Sequence, residues 1–197
     1  MTNLILCPDT NVSPDITLTG NSSCFEMIWE NGCVLDPAEE DFSRLEFVCE
    51  DLPLGYIPDY AVSDLGCSIV SARLRQLLEE SGIDNIQYFA ASICERPGAE
   101  PKPGYFAANI IGLVDCIDTT RSEMRSTLDE DDGQLRIFRI RKLVLKEVNS
   151  NSHLYRVNRF SRLILIEERF KEIFAGAGIQ GVRLILPERW DGYNGEI

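Results

Sequence analysis

The chain has 197 residues, 44% of them hydrophobic and 26% charged, with a formal net charge of −13, the make-up of a globular protein built as one domain or two small lobes. At this length folding buries roughly 70% of the unfolded surface, so stability requires neither disulfide nor metal. No apolar run approaches the ~20 residues of a membrane helix, and MTNLILCPDT lacks the basic segment of an export signal, so a cytoplasmic protein is expected.

Charge is unevenly spread. Residues 1–100 carry four basic against eighteen acidic side chains, and the remainder fifteen against fourteen. A nucleic-acid binder carries a basic footprint over its domain; the acidic first half instead suits a basic protein partner. Seven cysteines, odd in number and without C-x-x-C spacing, read as reduced, mostly buried thiols, with no metal or cofactor site expected.

In chain order, residues 1–43 form a turn-rich section of short strands, with an acidic cluster at Glu39, Glu40 and Asp41. Residues 44–197 follow as the main domain. Leu45 to Cys49 is a strand. After the loop DLPLGYIPDY, Ser71 stands where an N-cap belongs, and Leu74, Leu77 and Leu78 give one apolar helical stripe. Gly82 ends that helix, and Ile86 to Ala91 is a strand. The proline-rich loop at 96–104 is the best candidate lobe boundary. YFAANIIGLVDCID reads as a buried strand, Asp129 to Gly133 as an acidic turn, and IFRIRKLVLKEV and HLYRV as strands. A second helix is expected around Glu167 to Ala175, then a last strand from Val182 to Leu186.

Gly176, Gly178 and Gly181 spell G-x-G-x-x-G, the pattern of a dinucleotide-binding turn. That turn runs from strand to helix, because the pyrophosphate sits on the helix N-terminus. Here the order is helix to strand. With an offset of 96, IVSARLRQLLEESGIDNIQYFA aligns without gaps on LIEERFKEIFAGAGIQGVRLIL, and only Gly178 has a glycine counterpart, Gly82. Both precede an isoleucine, as a left-handed helix stop requires. A duplication would give two superposing helix–strand units; units docked on unrelated sheets would remove it.

Asp115 and Asp118, two carboxylates three residues apart, are the pair that could hold a divalent metal or share acid–base work in a hydrolase or transferase. On a strand such residues point to opposite faces, so Asp118 reads better as a turn residue before Thr119-Thr120. The single histidine, His153, sits in a polar stretch with no nucleophile motif. Arg136, Arg139, Arg141, Lys142, Lys146, Arg156, Arg159 and Arg162 form a basic ribbon over 134–162. It would bind RNA if its side chains were free on one face, or else tie the lobes together or protect a sheet edge. Trp190 is a contact candidate if exposed; otherwise it packs the tail onto the core.

VSARLRQLLEESGIDNIQYFAASI, YFAANIIGLVDCIDTTRSEM, RKLVLKE, LYRV and EERFKEIFAGAGIQGVRLILPE together resemble the eleventh numbered family of bacterial polymorphic-toxin immunity proteins, formerly a domain of unknown function. Tyr105, Asn109, Asp115, Asp118 and Ser122 match its tyrosine, asparagine, D-x-x-D and serine. The resemblance spans roughly residues 45 to 188; IFRIRK and the first 43 residues depart from it. It implies a cytosolic antidote that occludes one cognate toxin, with no chemistry of its own. Glu39, Glu40, Asp41, Asp129, Glu130, Asp131 and Asp132 are the expected contacts. The expected fold is α+β, a mixed, largely antiparallel sheet with two main helices.

Overall fold

The computed structural model describes residues 2–12, 16–19, 28–38, 42, 45–49, 56–129, 133–147 and 152–192. In chain order these form β1 (Asn3–Pro8), β2 (Ile16–Thr19), β3 (Leu45–Cys49), β4 (Tyr60–Val62), β5 (Ser68–Ser71), α1 (Ala72–Glu80), β6 (Ile86–Cys94), β7 (Lys102–Ile110), β8 (Leu113–Val114), β9 (Glu123–Leu128), β10 (Leu135–Lys142), β11 (Leu154–Val157), β12 (Ile164–Glu167), α2 (Phe170–Ala177) and β13 (Val182–Ile185). The α+β class holds, but the strands divide into three sheets. One has five strands in the order β13-β1-β12-β11-β8, one has six in the order β2-β3-β6-β7-β5-β4, and β9 and β10 pair alone. Pairing is antiparallel except for β3–β6 and β8–β11.

Strand alternation sorts the side chains into three cores. Leu4 and Leu6 of β1, with Ile164 and Ile166 of β12, face a central core shared with Val70, Ala108 and Ile110 of the six-stranded sheet. Leu74 and Leu78 of α1 and Phe170 and Phe174 of α2 complete it, so both helices and both large sheets meet there. Ile5, Tyr155, Val157 and Leu165 point the opposite way, onto the β9–β10 hairpin through Ile137 and Ile140. On the far face of the six-stranded sheet, Phe47, Ile69, Ile93 and Ala107 are covered by Trp29 and Phe42.

Three of the expected segments can be set against the structure. Residues 95–101 join β6 to β7, which pair from Ile86↔Ile110 to Ile93↔Lys102 within one sheet, and Lys102 to Gly104 belong to β7 itself. From the turn-rich N-terminal section, β1 lies between β12 and β13 and binds both. The second helix also starts later, at Phe170, since Glu167 is still paired to Asn3 across the β1–β12 ladder.

The two helix–strand units lie in different sheets, yet their surroundings repeat. An antiparallel hairpin (β4–β5 or β11–β12) feeds a helix and then a strand parallel to the hairpin's second strand. In both cases one antiparallel strand separates the two parallel ones, β7 in the first unit and β1 in the second. β5 and β12 differ in number by the same offset of 96 that aligns the helices. The helix stops also match. Ile83 N–H donates to Leu78 O and Gly82 N–H to Glu79 O; Ile179 N–H donates to Phe174 O and Gly178 N–H to Ala175 O. Gly82 (φ 86°) and Gly178 (φ 64°) take the left-handed conformation that this closure demands.

The helices are cross-linked reciprocally. Arg73, at the start of α1, donates through Nη2 to Gly178 O at the end of α2, at 3.0 Å. Arg169, just before α2, donates through Nη2 to Ser81 O at the end of α1, also at 3.0 Å. Each cation thus satisfies a free carbonyl at the negative end of the other helix.

Candidate functional site

Four of the five motif residues hold backbone segments in place, and the fifth, Asp115, forms ion pairs. Tyr105 Oη donates to Ile57 O at 3.2 Å. Asn109, fully buried on β7, donates through Nδ2 to Cys33 O (2.8 Å) and to Gln87 Oε1 (2.9 Å). Gln87 in turn exchanges hydrogen bonds with the N–H and C=O of Leu35. The amide pair therefore holds segment 33–35 against the six-stranded sheet. Ser122 Oγ donates to Val144 O and accepts from Val144 N–H, locking the chain before β9 to the chain after β10.

Asp118 closes the same turn. Its Oδ1 accepts from Thr120 Oγ1 (2.7 Å), Thr120 N–H (3.0 Å) and Arg121 N–H (3.1 Å). The Thr120 hydroxyl bond, with the backbone N–H groups and the nearby Arg121 charge, holds its carboxyl below the ordinary range. Asp115 does separate work, paired with Lys146 Nζ at 3.1 Å and Arg159 Nη2 at 3.8 Å. The pair is thus a turn lock and an ion-pair anchor. Among the described residues no group of three His, Cys, Asp or Glu is placed to hold a metal ion.

Of the three glycines of G-x-G-x-x-G, one is explained by its backbone conformation and one by close packing. Gly178 stops α2. Gly181 (φ 82°) lies so close to the preceding segment that a Cβ there would strike the Tyr60 carbonyl oxygen and come within 2.7 Å of Pro58 Cβ. Gly176 is an open helical position.

Of the expected contacts, Glu39, Glu40, Asp41, Glu130, Asp131 and Asp132 lie outside the described residues. Asp129 heads the β9–β10 turn and pairs with Arg136 Nε at 2.5 Å. Trp190 is only 4% exposed and packs edge-on against Phe160, ring centroids 6.2 Å apart. It anchors the tail on the core instead of standing out as an exposed contact. His153 Nδ1 faces Glu167 Oε2 at 3.0 Å. Burial pushes the Cys49 and Cys116 thiols up to about 11 and Cys7 to about 12, which keeps them protonated and unreactive.

The basic ribbon is dispersed. Arg136 pairs with Asp129, while Lys146 and Arg159 pair with Asp115. Arg156 leaves the surface altogether, at 1% exposure in β11, where Leu154, Tyr155 and Val157 are also buried. These side chains do not form the single free face that RNA binding would need. Arg139, Arg156 and Arg162 instead line a cleft of about 920 Å³ with Phe138, Tyr60 and Glu30. The available clue was a lone arginine in LYRV, a short strand otherwise wholly apolar, since a strand buried on both faces leaves no solvent side for it.

Set beside known proteins, the chain matches one family model, described as an immunity protein family (Imm11), over residues 39–185. That span runs from just before β3 to the end of β13 and contains all five motif residues. No curated protein matches the chain.

Proposed function

The chain belongs to the Imm11 immunity protein family, and from that premise we propose that it is an antidote that binds one cognate bacterial toxin and occludes it. The family match over residues 39–185 carries the reading. The motif residues add support, because Tyr105, Asn109, Asp118 and Ser122 are engaged in holding backbone, and Asp115 in an ion pair. An occluding protein needs a rigid, shaped exterior in place of a reactive group.

The partner we propose is a toxin with a basic surface. A net charge of −13, concentrated in the first hundred residues, would steer such a partner and raise its association rate toward ~10⁸ M⁻¹s⁻¹ at low salt. An interface of about 1,600 Å² is the expected size. Glu39, Glu40, Asp41 and Asp129 to Asp132 remain the proposed contacts. The proposed place of action is the cytoplasm of the producing cell; among the described residues no helix is long and apolar enough to cross a membrane.

The test is capture from the native host followed by mass spectrometry. Recovery of one large multidomain protein, whose toxicity is suppressed by co-expression of this chain, is the expected result. Reversing the acidic charges should slow association and flatten its salt dependence; unchanged kinetics would remove those contacts from the interface. Turnover of a small compound that disappears when Asp115 or Asp118 is neutralised would overturn the antidote reading itself.

A further inference from the structure

Arg156 stands in the interior of the five-stranded sheet, on β11 between β12 and β8. Its Nη1 donates to Ser161 O at 2.9 Å. Its Nε and Nη2, both buried, have no hydrogen-bond partner. A guanidinium cannot shed its charge at any ordinary pH, so a buried one needs hydrogen-bonding anions or carbonyls to offset its lost hydration. Glu30 adds a favourable field, but among the described residues no carboxylate is in ion-pair contact with Arg156. Ser63 Oγ, a second buried polar atom without a partner, belongs to the same cleft wall.

The cleft supplies what the guanidinium lacks room for elsewhere. At about 920 Å³ it is large enough for a small organic ligand or an inserted loop. Arg139 and Arg162 add two further cations; Phe138, 65% exposed, and the buried Phe160 and Trp190 add aromatic surface. Glu30, Asp64 and Asp191 also line it. Their charges oppose a polyanion and leave a single oxyanion as the favoured guest.

We propose that this cleft is an oxyanion-binding site, in which Arg156 receives a carboxylate or phosphate group whose apolar body lies against Phe138, Phe160 and Trp190. An arginine fork recognises such groups in a bidentate manner that lysine cannot reproduce. The same chemistry has two sources: a free aromatic acid or phosphate ester, or an Asp or Glu side chain on a segment of a partner protein. The site is independent of the antidote reading, because it is measured on the isolated chain.

The experiment follows the Arg156 Nε–Hε resonance of the full-length ¹⁵N-labelled protein, with tryptophan fluorescence as a second readout. Phenyl phosphate, benzoate and a short acetylated Phe-Asp-Phe amide peptide are titrated at constant ionic strength against sodium chloride. A saturable resonance shift and fluorescence change are expected with at least one probe; the fluorescence change, the readout the variants share, is abolished in Arg156→Met and weakened at least tenfold in Arg156→Lys. Response to phenyl phosphate or benzoate identifies a free small ligand; response to the peptide alone identifies a partner segment. Arg156→Met should melt at or above the parent temperature, since an apolar side chain of similar length relieves a buried charge. Absence of any Arg156-dependent saturable response overturns the site, and so does a lower melting temperature of Arg156→Met without anion response, which makes the guanidinium purely structural. If Arg156→Met does not fold, Arg156→Lys alone decides: a parent response that survives undiminished in it overturns the assignment.

Discussion

The unit around α1 and the unit around α2 share an order of elements but start their helices differently. α1 begins on Ser71, whose Oγ accepts the Leu74 N–H at 3.1 Å. α2 begins on Arg169, which gives no side-chain cap. At the other end both close with the same pair of hydrogen bonds around a left-handed glycine. The stop is therefore the more constrained feature. A residue without Cβ is needed wherever the chain must turn left-handed, whereas free N–H groups at a helix start can be met in several ways. The strands that follow diverge as well: β6 has nine residues inside its sheet, and β13 has four at an edge.

The central core gives the strongest test of how unequal the units are. Leu74 and Phe170 occupy matching positions, and both are almost fully buried. Phe170→Ala should cost about 3–5 kcal/mol and Leu74→Ala about 2–5 kcal/mol in urea unfolding. A larger loss from Leu74 would mean that α1 dominates the shared core. Next comes Gly181, whose counterpart in the first unit is Asn85. Gly181→Ala meets both a positive φ and the Tyr60 carbonyl, so a loss of about 2–4 kcal/mol is expected from combined strain and overpacking. A neutral result would show that the 56–60 segment can retreat from the α2–β13 turn.

That segment also carries Asp59, which joins the two units. Its carboxylate accepts from Ser71 Oγ (2.7 Å), Arg73 and the Gln180 N–H (3.0 Å). Desolvation alone would raise its pKa, but bonds from Arg73, Ser71 and Gln180 outweigh that and hold it below the ordinary range. A carboxyl depressed in the folded state gives stability that is complete above its unfolded pKa and is lost as pH falls through the folded value. Asp59→Asn should therefore cost about 1.5–3 kcal/mol at neutral pH. The gap from the parent should close as pH falls below about 3.9, read from melting temperatures across an acid series. A gap that persists undiminished in acid would assign the loss to packing.

Helix ends were legible in the sequence because their chemistry is local. Ser71, Gly82 and Gly178 take the places that capping rules give them. The placement of β1 was not legible, because nothing in Leu4-Ile5-Leu6 specifies that strand's neighbours more than a hundred residues away. The same limit hid the hairpin nature of the 96–104 loop, whose prolines signal a turn without saying what it joins. For the candidate site, the motif positions could be read but not their work: Asn109 matters through Cys33 and Gln87, distant partners invisible to spacing. Arg156 was misread as ribbon because charge suggests surface, and Trp190 was left open because a short tail carries no periodicity.

The smallest effect expected is also the most specific to the pairing of the two units. Arg73 and Arg169 are both substantially exposed, at 57% and 44% of their side chains, so each ion pair is weak on its own. Arg73→Ala and Arg169→Ala should each cost about 0.5–1 kcal/mol, including the interaction with the opposite helix end. The informative quantity is their coupling. The two cross-links join the same two helices from opposite ends, so losing one loosens the frame that orients the other. A double-mutant cycle should then return a coupling of at least about 0.5 kcal/mol, above what independent distant sites give. Strict additivity would mean that the helices are positioned by Leu74, Leu78, Phe170 and Phe174 alone, with the reciprocal arginines as surface decoration on an already rigid pair.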